Sequence, residues 1–285
     1  MSNNYTFSIK NEKNINWHKS LVYICCNNYT MSIEMASKIN KLLSMIPQGT
    51  IVQSSWLIEQ GYSASLQQRY RKNNWLKSVG KGAMIRAGDK VSYEGAIYAL
   101  QKQDKTSIHP GGKTALTLLG NSHFLPMGEE GIVLFGDSTE KLPSWFSKFD
   151  WGRGMDYHST SFLPKFLGLT EISFGNFSIQ VSDPIRAAME CIYLARQEAE
   201  FIECFDLIQG LNNLRPGKVE ETLENCESIK VKRLFLYLSD RAGHEWFKHL
   251  RLEKVDLGKG KRSLVDNGTY IAKYQITVPK ELSYA

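Results

Sequence analysis

The sequence predicts an α+β protein. A winged helix-turn-helix near the N-terminus is followed by a larger mixed α/β C-terminal domain with a helical block and a C-terminal β-hairpin. Three observations carry this reading. Residues 47–86 run helix, glycine turn, helix, hairpin. The segment up to Val181 holds short apolar and alternating runs of strand type. Beyond Asp183-Pro184, apolar residues recur at helical spacing through Leu238. The chain has 285 residues, 42% hydrophobic and 22% charged, so one or two domains with sizeable cores are expected.

In chain order, Ala36, Ile39, Leu43 and Ile46 mark a first helix, with Leu42 alongside, and Pro47 and Gly49 end it. Thr50–Val52 is a short β-branched strand. Ser54 or Ser55 can cap a second helix running to Gln60. Gly61 supplies the turn, because glycine enters the left-handed region at least cost. Ser63 can cap a third helix from Ala64 to about Asn74. On that helix Leu66, Tyr70 and Asn73 share one side, and Ala64, Gln68 and Arg71 lie opposite, flanked by Ser65, Gln67 and Lys72. "WLKSVGKGAMIR" then reads as a hairpin turning at Gly80-Lys81-Gly82, the wing.

The second of the two helices carries the candidate site. Its outward face holds no acid. Ser65, Gln67, Gln68 and Arg71 are the candidate base-reading residues, since amide and guanidinium groups match adenine and guanine edges in a major groove. Ser63, Arg69, Lys72, Lys77 and Lys81 are the candidate phosphate contacts. Arg69 sits at the edge of the buried side, where bracing the fold competes with touching DNA. Charge distribution supports the assignment: residues 36–90 hold nine Lys/Arg against Glu59 and Asp89, more than the whole chain's excess of +6. A solvated charged face, or a winged helix that binds protein and not DNA, produces the same totals.

Downstream, Ala96, Ile97 and Leu100 face inward on a helix, and the polar 104–107 marks the domain boundary. The domains are therefore an N-terminal extension 1–30, a winged helix-turn-helix 31–103 and a C-terminal domain 104–285. Gly112-Lys113-Thr114 is not a phosphate loop, because Ser107 stands where the motif needs glycine. A helix from Gly112 with Ala115, Leu118 and Leu119 packing fits better, and places Lys113 to meet an anion at its N-terminus. Gly175-Asn176 turns a hairpin, and Asp183 caps a helix with Pro184 at its first position. Ile185, Ala188, Met189 and Ile192 line that helix, and Phe201/Phe205/Ile208, Val219/Leu223/Cys226 and Val231/Leu234/Phe235/Leu238 line those after it. Residues 186–227 are acidic and 228–285 basic, with Lys259, Lys261 and Arg262 on an exposed turn as a candidate second anion contact.

The strings "PQGTIVQSSWLIEQGYS", "QQRYRKNNWLKSVGKGAMIRAGD", "YEGAIYALQKQ", "IHPGGKTALTLLG", "SIKVKRLFLYLSD" and "VDLGKGKRSLVDNGTYIAKYQITVPKEL" resemble AbiEi antitoxins of AbiE abortive-infection, type IV toxin–antitoxin systems. The first 30 residues, with Cys25 and Cys26, fall outside the resemblance. It implies a winged helix that binds inverted repeats of operator DNA and represses its own operon. It also implies a C-terminal domain that neutralises a nucleotidyltransferase-like toxin without a lasting complex. The rival from another class is an interaction protein whose winged helix binds protein and whose acidic helices dock a basic partner.

Little points to an enzyme. The histidines (His18, His109, His123, His158, His244, His249) form no HExxH, and no GxSxG or strand-borne GxGxxG occurs. Asp150, Arg153, Asp156 and His158 cluster in "DWGRGMDYH", a pattern that glycine-rich turns also produce. No catalytic residue, metal ligand or cofactor is expected. No apolar run approaches the roughly 18 residues of a membrane span. The polar N-terminus and five cysteines without a CxxC pair lead to a cytoplasmic expectation.

Overall fold

The computed structural model describes residues 38–120 and 131–283. The readings attached to 1–37, among them the extension with Cys25, Cys26 and His18 and the position of Ala36, lie outside the described residues, as does His123. The chain divides into two compact units, Met1–Pro47 and Gln48–Ala285. In the first, residues 38–45 form helix α1, with Ile39 and Leu42 buried and Leu43 half-buried.

The second unit opens with the expected winged-helix order: β1 (Val52–Gln53), α2 (Ser54–Glu59), α3 (Ala64–Lys72), β2 (Leu76–Gly80), β3 (Ala83–Arg86) and α4 (Tyr93–Lys102). Its antiparallel sheet has the order β1-β3-β2. The strand is β1, two residues later than Thr50. Neither serine caps α2: its N-cap is Gln53, without a side-chain cap bond. Ser63 does cap α3, accepting from the Leu66 amide at 3.4 Å. Gly61 takes φ +84°, where a side chain would be strained.

Three glutamine amides hold this region together. As the outer strand, β1 would leave backbone groups unpaired. Gln103 supplies the missing partner, accepting from Gln53 N at 2.8 Å and donating to the Ile51 carbonyl at 2.9 Å. Gln101 donates to the carbonyls of Ile108 and Gln180 and accepts from Gln180 N at 2.8 Å, fastening α4 to the backbone at both positions. Gln67 joins α2 to α3 and is described with the site. On the wing, Gly80 lies so close to Trp145 that an added Cβ would stand 2.9 Å from the Trp145 Cβ.

The remainder is built from β4 (His109–Pro110), α5 (Gly112–Leu118), β5 (Ile132–Gly136), α6 (Ser144–Ser147), β6 (Met155–Ser159), β7 (Leu169–Phe174) and β8 (Phe177–Ser182). Next come helices α7 (Pro184–Leu194), α8 (Glu198–Gln209), α9 (Pro216–Glu224) and α10 (Ile229–Ala242), then β9 (Arg262–Ser263), β10 (Thr269–Ile271) and β11 (Ile276–Val278). One hydrophobic core runs from Ile51 and Ile97 of the winged helix through Phe135, Ile192 and Phe235 to Ile276. Asp183 caps α7 by accepting from Arg186 N at 2.9 Å. The buried side of α5 is Ala115 and Leu116, while Leu118 and Leu119 are only half-buried.

A buried carboxylate fixes the centre of this part. Glu190, fully enclosed on α7, accepts from Arg186 Nε at 2.8 Å, Ser182 Oγ at 2.7 Å and the Gly112 amide at 2.9 Å, and lies 3.3 Å from His109 Nε2. The α5 N-terminus thus already holds an anion, an internal one. Gly111 has to be glycine, since a Cβ there would lie 2.4 Å from Glu190 Oε2. Lys113 points elsewhere and pairs with Glu203 at 2.5 Å. Burial pushes the Glu190 carboxyl upward, but the His109 hydrogen bond and the Arg186 guanidinium outweigh it and hold the group below the usual carboxylate range. Its stabilising effect is therefore complete above that range and is lost as the pH falls through the folded-state value. Replacing Glu190 by Gln leaves Arg186 without its counter-charge and should cost about 3–5 kcal/mol. Urea unfolding should show the loss as a lower midpoint at pH 7, with a shallower dependence on acid than the parent. Unchanged midpoints would show that the network is dispensable.

Candidate nucleic-acid interface

The recognition surface is set by how α3 is seated. Tyr70 is buried beneath the helix, Leu66 is half-buried, and Tyr62 and Tyr70 pack with ring centroids 6.5 Å apart. These contacts fix which way the helix faces. Gln67 is the correction to the sequence reading. It is only 1% exposed, because it lies over α2 and not over solvent. Its amide donates to the carbonyls of Ser54 at 3.1 Å and Tyr62 at 2.8 Å, and accepts from Ser54 Oγ at 2.6 Å. All its hydrogen-bonding capacity facing α2 is spent, so it braces the two helices and reads no base edge. Asn73, expected on the buried side, is exposed past the end of α3.

The other residues on α3 are outside. Ser63, Ser65, Gln68, Arg69, Arg71 and Lys72 are exposed, as are Lys77 and Lys81 on the hairpin. Ser63 and Ser65 place their hydroxyls 3.0 Å apart at the helix N-terminus. The Arg71 guanidinium reaches across to the wing, with Nη1 3.4 Å from the Met84 sulfur. Between them opens a cleft of about 350 Å³ lined by Ser54, Arg71, Ser78, Lys81 and Met84 among others. Ser54 and Ser78 belong to this surface and were missed, because a serine in a turn or strand carries no distinguishing sequence signal. Gly82 closes the wing turn, its carbonyl accepting from Ser54 N at 2.8 Å, which ties the wing to the start of α2.

Electrostatically the surface is one-sided. Among the described residues, none of Arg71, Lys72, Lys77 and Lys81 forms a salt bridge with a carboxylate. A thioether is a weak acceptor, so Arg71 keeps its donors for a stronger partner. The arrangement offers a helix of polar and cationic side chains flanked by a basic turn, suited to a polyanion.

The remaining candidates fall elsewhere. Lys259, Lys261 and Arg262 are exposed beside β9, with the Lys261 ammonium 4.9 Å from the Tyr270 ring centre. The "DWGRGMDYH" cluster does not converge. Asp150 accepts from the Gly152 amide at 2.8 Å as a turn, while Asp156 and His158 pair at 2.9 Å. Asp156 and His158 border a cavity of about 630 Å³, together with Lys113, Glu203, Cys191 and Cys204. Burial pushes the Cys191 thiol well up and the Cys204 thiol up to about 12, so neither is a nucleophile at neutral pH. His244 is buried against the Ile208 carbonyl at 2.7 Å. Among the described residues no group of His, Cys, Asp and Glu could hold a metal, and no helix is long and apolar enough to cross a membrane.

Comparison with known proteins agrees with the fold. The RV2827C protein from Mycobacterium tuberculosis, known from a crystal structure, superposes with a TM-score of 0.52 at 12% identity, over 86% of this chain and 91% of that one. No curated protein matches significantly. Residues 35–127 match the N-terminal domain of AbiEi antitoxin transcriptional regulators, and residues 129–279 match the transcriptional regulator AbiEi antitoxin of type IV toxin–antitoxin systems. With most of its length covered by these two matches, the chain belongs to the AbiEi antitoxin family of transcriptional regulators.

Proposed function

We propose that the chain represses its own operon by binding inverted repeats of operator DNA through the winged helix. One observation carries this: the exposed side of α3 and the wing hairpin present Arg71, Lys72, Lys77 and Lys81 with no carboxylate among the described residues paired to them. In this reading α3 enters the major groove, where Gln68, Arg71 and Ser65 meet base edges. Ser63, Arg69, Lys72, Lys77 and Lys81 hold phosphates on either side and supply the salt-dependent part of the affinity. Two copies on an inverted repeat occlude the promoter. Binding occurs in the cytoplasm. The C-terminal domain counters a nucleotidyltransferase-like toxin without forming a lasting complex with it, and the antitoxin needs no chemistry of its own.

The division of labour on the surface is testable by electrophoretic shift against operator and scrambled duplexes. Gln68→Ala or Arg71→Ala should reduce discrimination between the two by the worth of one base contact, about 1–3 kcal/mol. Lys77→Ala or Lys81→Ala should weaken both duplexes alike and flatten the slope of log affinity against log salt by about 0.9 for each lysine removed. Equal loss of discrimination in both pairs would refute the assignment.

Gln67→Ala should behave differently from either class. Removing the amide strands the buried Tyr62 carbonyl and the half-buried Ser54 carbonyl, so melting should drop by the equivalent of about 1–3 kcal/mol. Discrimination per folded molecule should persist. A variant that melts like the parent but loses discrimination would return Gln67 to the base-reading set.

For the toxin, growth rescue on co-expression together with separate elution in size-exclusion chromatography is expected. Co-elution of a stable complex would contradict the reading.

A further inference from the structure

The small C-terminal sheet has the order β10-β11-β9, with β9 parallel to β11. Its register puts Tyr270 opposite Thr277, and Thr277 opposite Ser263, so these three share one face. Ile271 and Ile276 point the other way, into the core. The outward face therefore carries an aromatic ring 40% exposed, two hydroxyl side chains and, from the start of β9, the ammonium of Lys261 at 4.9 Å from that ring.

The basic turn at its edge is a built feature. Arg233, on α10 and 1% exposed, drives its guanidinium into the loop from beneath. It donates to the carbonyls of Leu257 at 2.7 Å, Gly258 at 3.1 Å, Gly260 at 2.7 Å and Gln275 at 3.0 Å. Gly258 and Gly260 take φ +68° and +79°, which lets the loop turn these carbonyls inward and leaves Lys259 and Lys261 outside. Asp256 is occupied with the Gly258 amide at 2.7 Å. The corner is thus a fixed loop, held from beneath by one buried cation, that carries the exposed Lys259 and sets Lys261 over an exposed tyrosine.

We propose that this face binds single-stranded nucleic acid, with a base stacked on Tyr270 and the backbone running along Lys259 and Lys261. A phosphate backbone satisfies the charge, and a base satisfies the ring, which an acidic protein surface would leave unused. A duplex buries its bases in the stack and cannot use the ring. This surface shares no residue with the α3–wing surface and does not depend on the operator reading.

The test is fluorescence anisotropy of the full chain with labelled 12-nucleotide oligouridylate and oligothymidylate at low salt, alongside operator duplex. Tyr270→Ala should weaken single-strand binding about tenfold, in line with loss of one stacked base. Tyr270→Phe should retain it. Reversing Lys259 and Lys261 to Glu should abolish it, and all three variants should leave duplex binding and the melting temperature near the parent's. Preference for oligouridylate over oligothymidylate would identify RNA as the ligand, and the reverse DNA. Single-strand binding that survives Tyr270→Ala, or duplex binding that falls as far as single-strand binding, would overturn the proposal. The first would mark a generic polyanion surface that an acidic protein could equally occupy, and the second an extension of the duplex interface.

Discussion

The side-chain amide of Gln67 fixes the geometry on which the exposed surface of α3 depends. It is neutral, buried and bonded to Ser54 and Tyr62, so it sets the angle between α2 and α3 without adding charge beneath the recognition helix. At 3.6 residues per turn Gln68 is turned about 100° away from Gln67 and is exposed, while Arg71, one turn on and on nearly the same side as Gln67, lies beyond the covered stretch and reaches Met84 on the wing. Gln103 and Gln101 do comparable work at the edge of β1 and on α4. A carboxylate in any of these places would have partly cancelled the positive field that draws in a polyanion. Neutral amides keep the scaffold rigid and leave that field intact.

The C-terminal part solves its polar problem in the opposite way. Glu190 and Arg186 form an ion pair that His109 joins by hydrogen bonding, inside α7 and β4, where a bare carboxylate would be costly and each lone pair has to be met. Arg186 also donates to the Pro164 and Leu167 carbonyls at 2.8 and 2.6 Å, tying the loop before β7 to the helix. Charge buried here is balanced internally and contributes little field outside. The two halves of one continuous core thus differ in their fastening: buried amides join α2, α3 and α4 to their neighbours, and a buried ion pair centres the other half.

Much of this was legible in the sequence because the signals are local. Gly61, the Ser63 cap, the Gly80-Lys81-Gly82 turn, Gly175-Asn176 and Asp183-Pro184 each act within a few residues, and the structure has them in place. What was not legible is non-local. Gln67 looked like its neighbour Gln68, and only the crossing angle of α2 decides which amide is covered. Ser54 looked like a cap but serves Gln67 instead. Glu190 stood in an apolar helix with its partners Gly112 and His109 about eighty residues away in sequence, so no window could pair them. Lys113 looked like an anion contact, but the Gly112 amide had already taken its anion from α7.

The same distinction separates cations that can serve a ligand from those that cannot. Lys113 is paired with Glu203, Arg186 with Glu190 and Lys273 with Asp240. Each would have to give up a charge partner before meeting a phosphate, and that exchange returns little net free energy. Arg71 faces a thioether and Lys261 an aromatic ring, partners that hold a cation in position yet surrender it cheaply. A guanidinium or ammonium kept in place by a weak partner has already lost part of its rotamer freedom, so less is lost on binding. Total charge could not have revealed this. Availability depends on what each cation touches, and Arg71 on α3 and Lys261 beside β9, both exposed and both held by a weak partner, stand on the two surfaces proposed for nucleic acid.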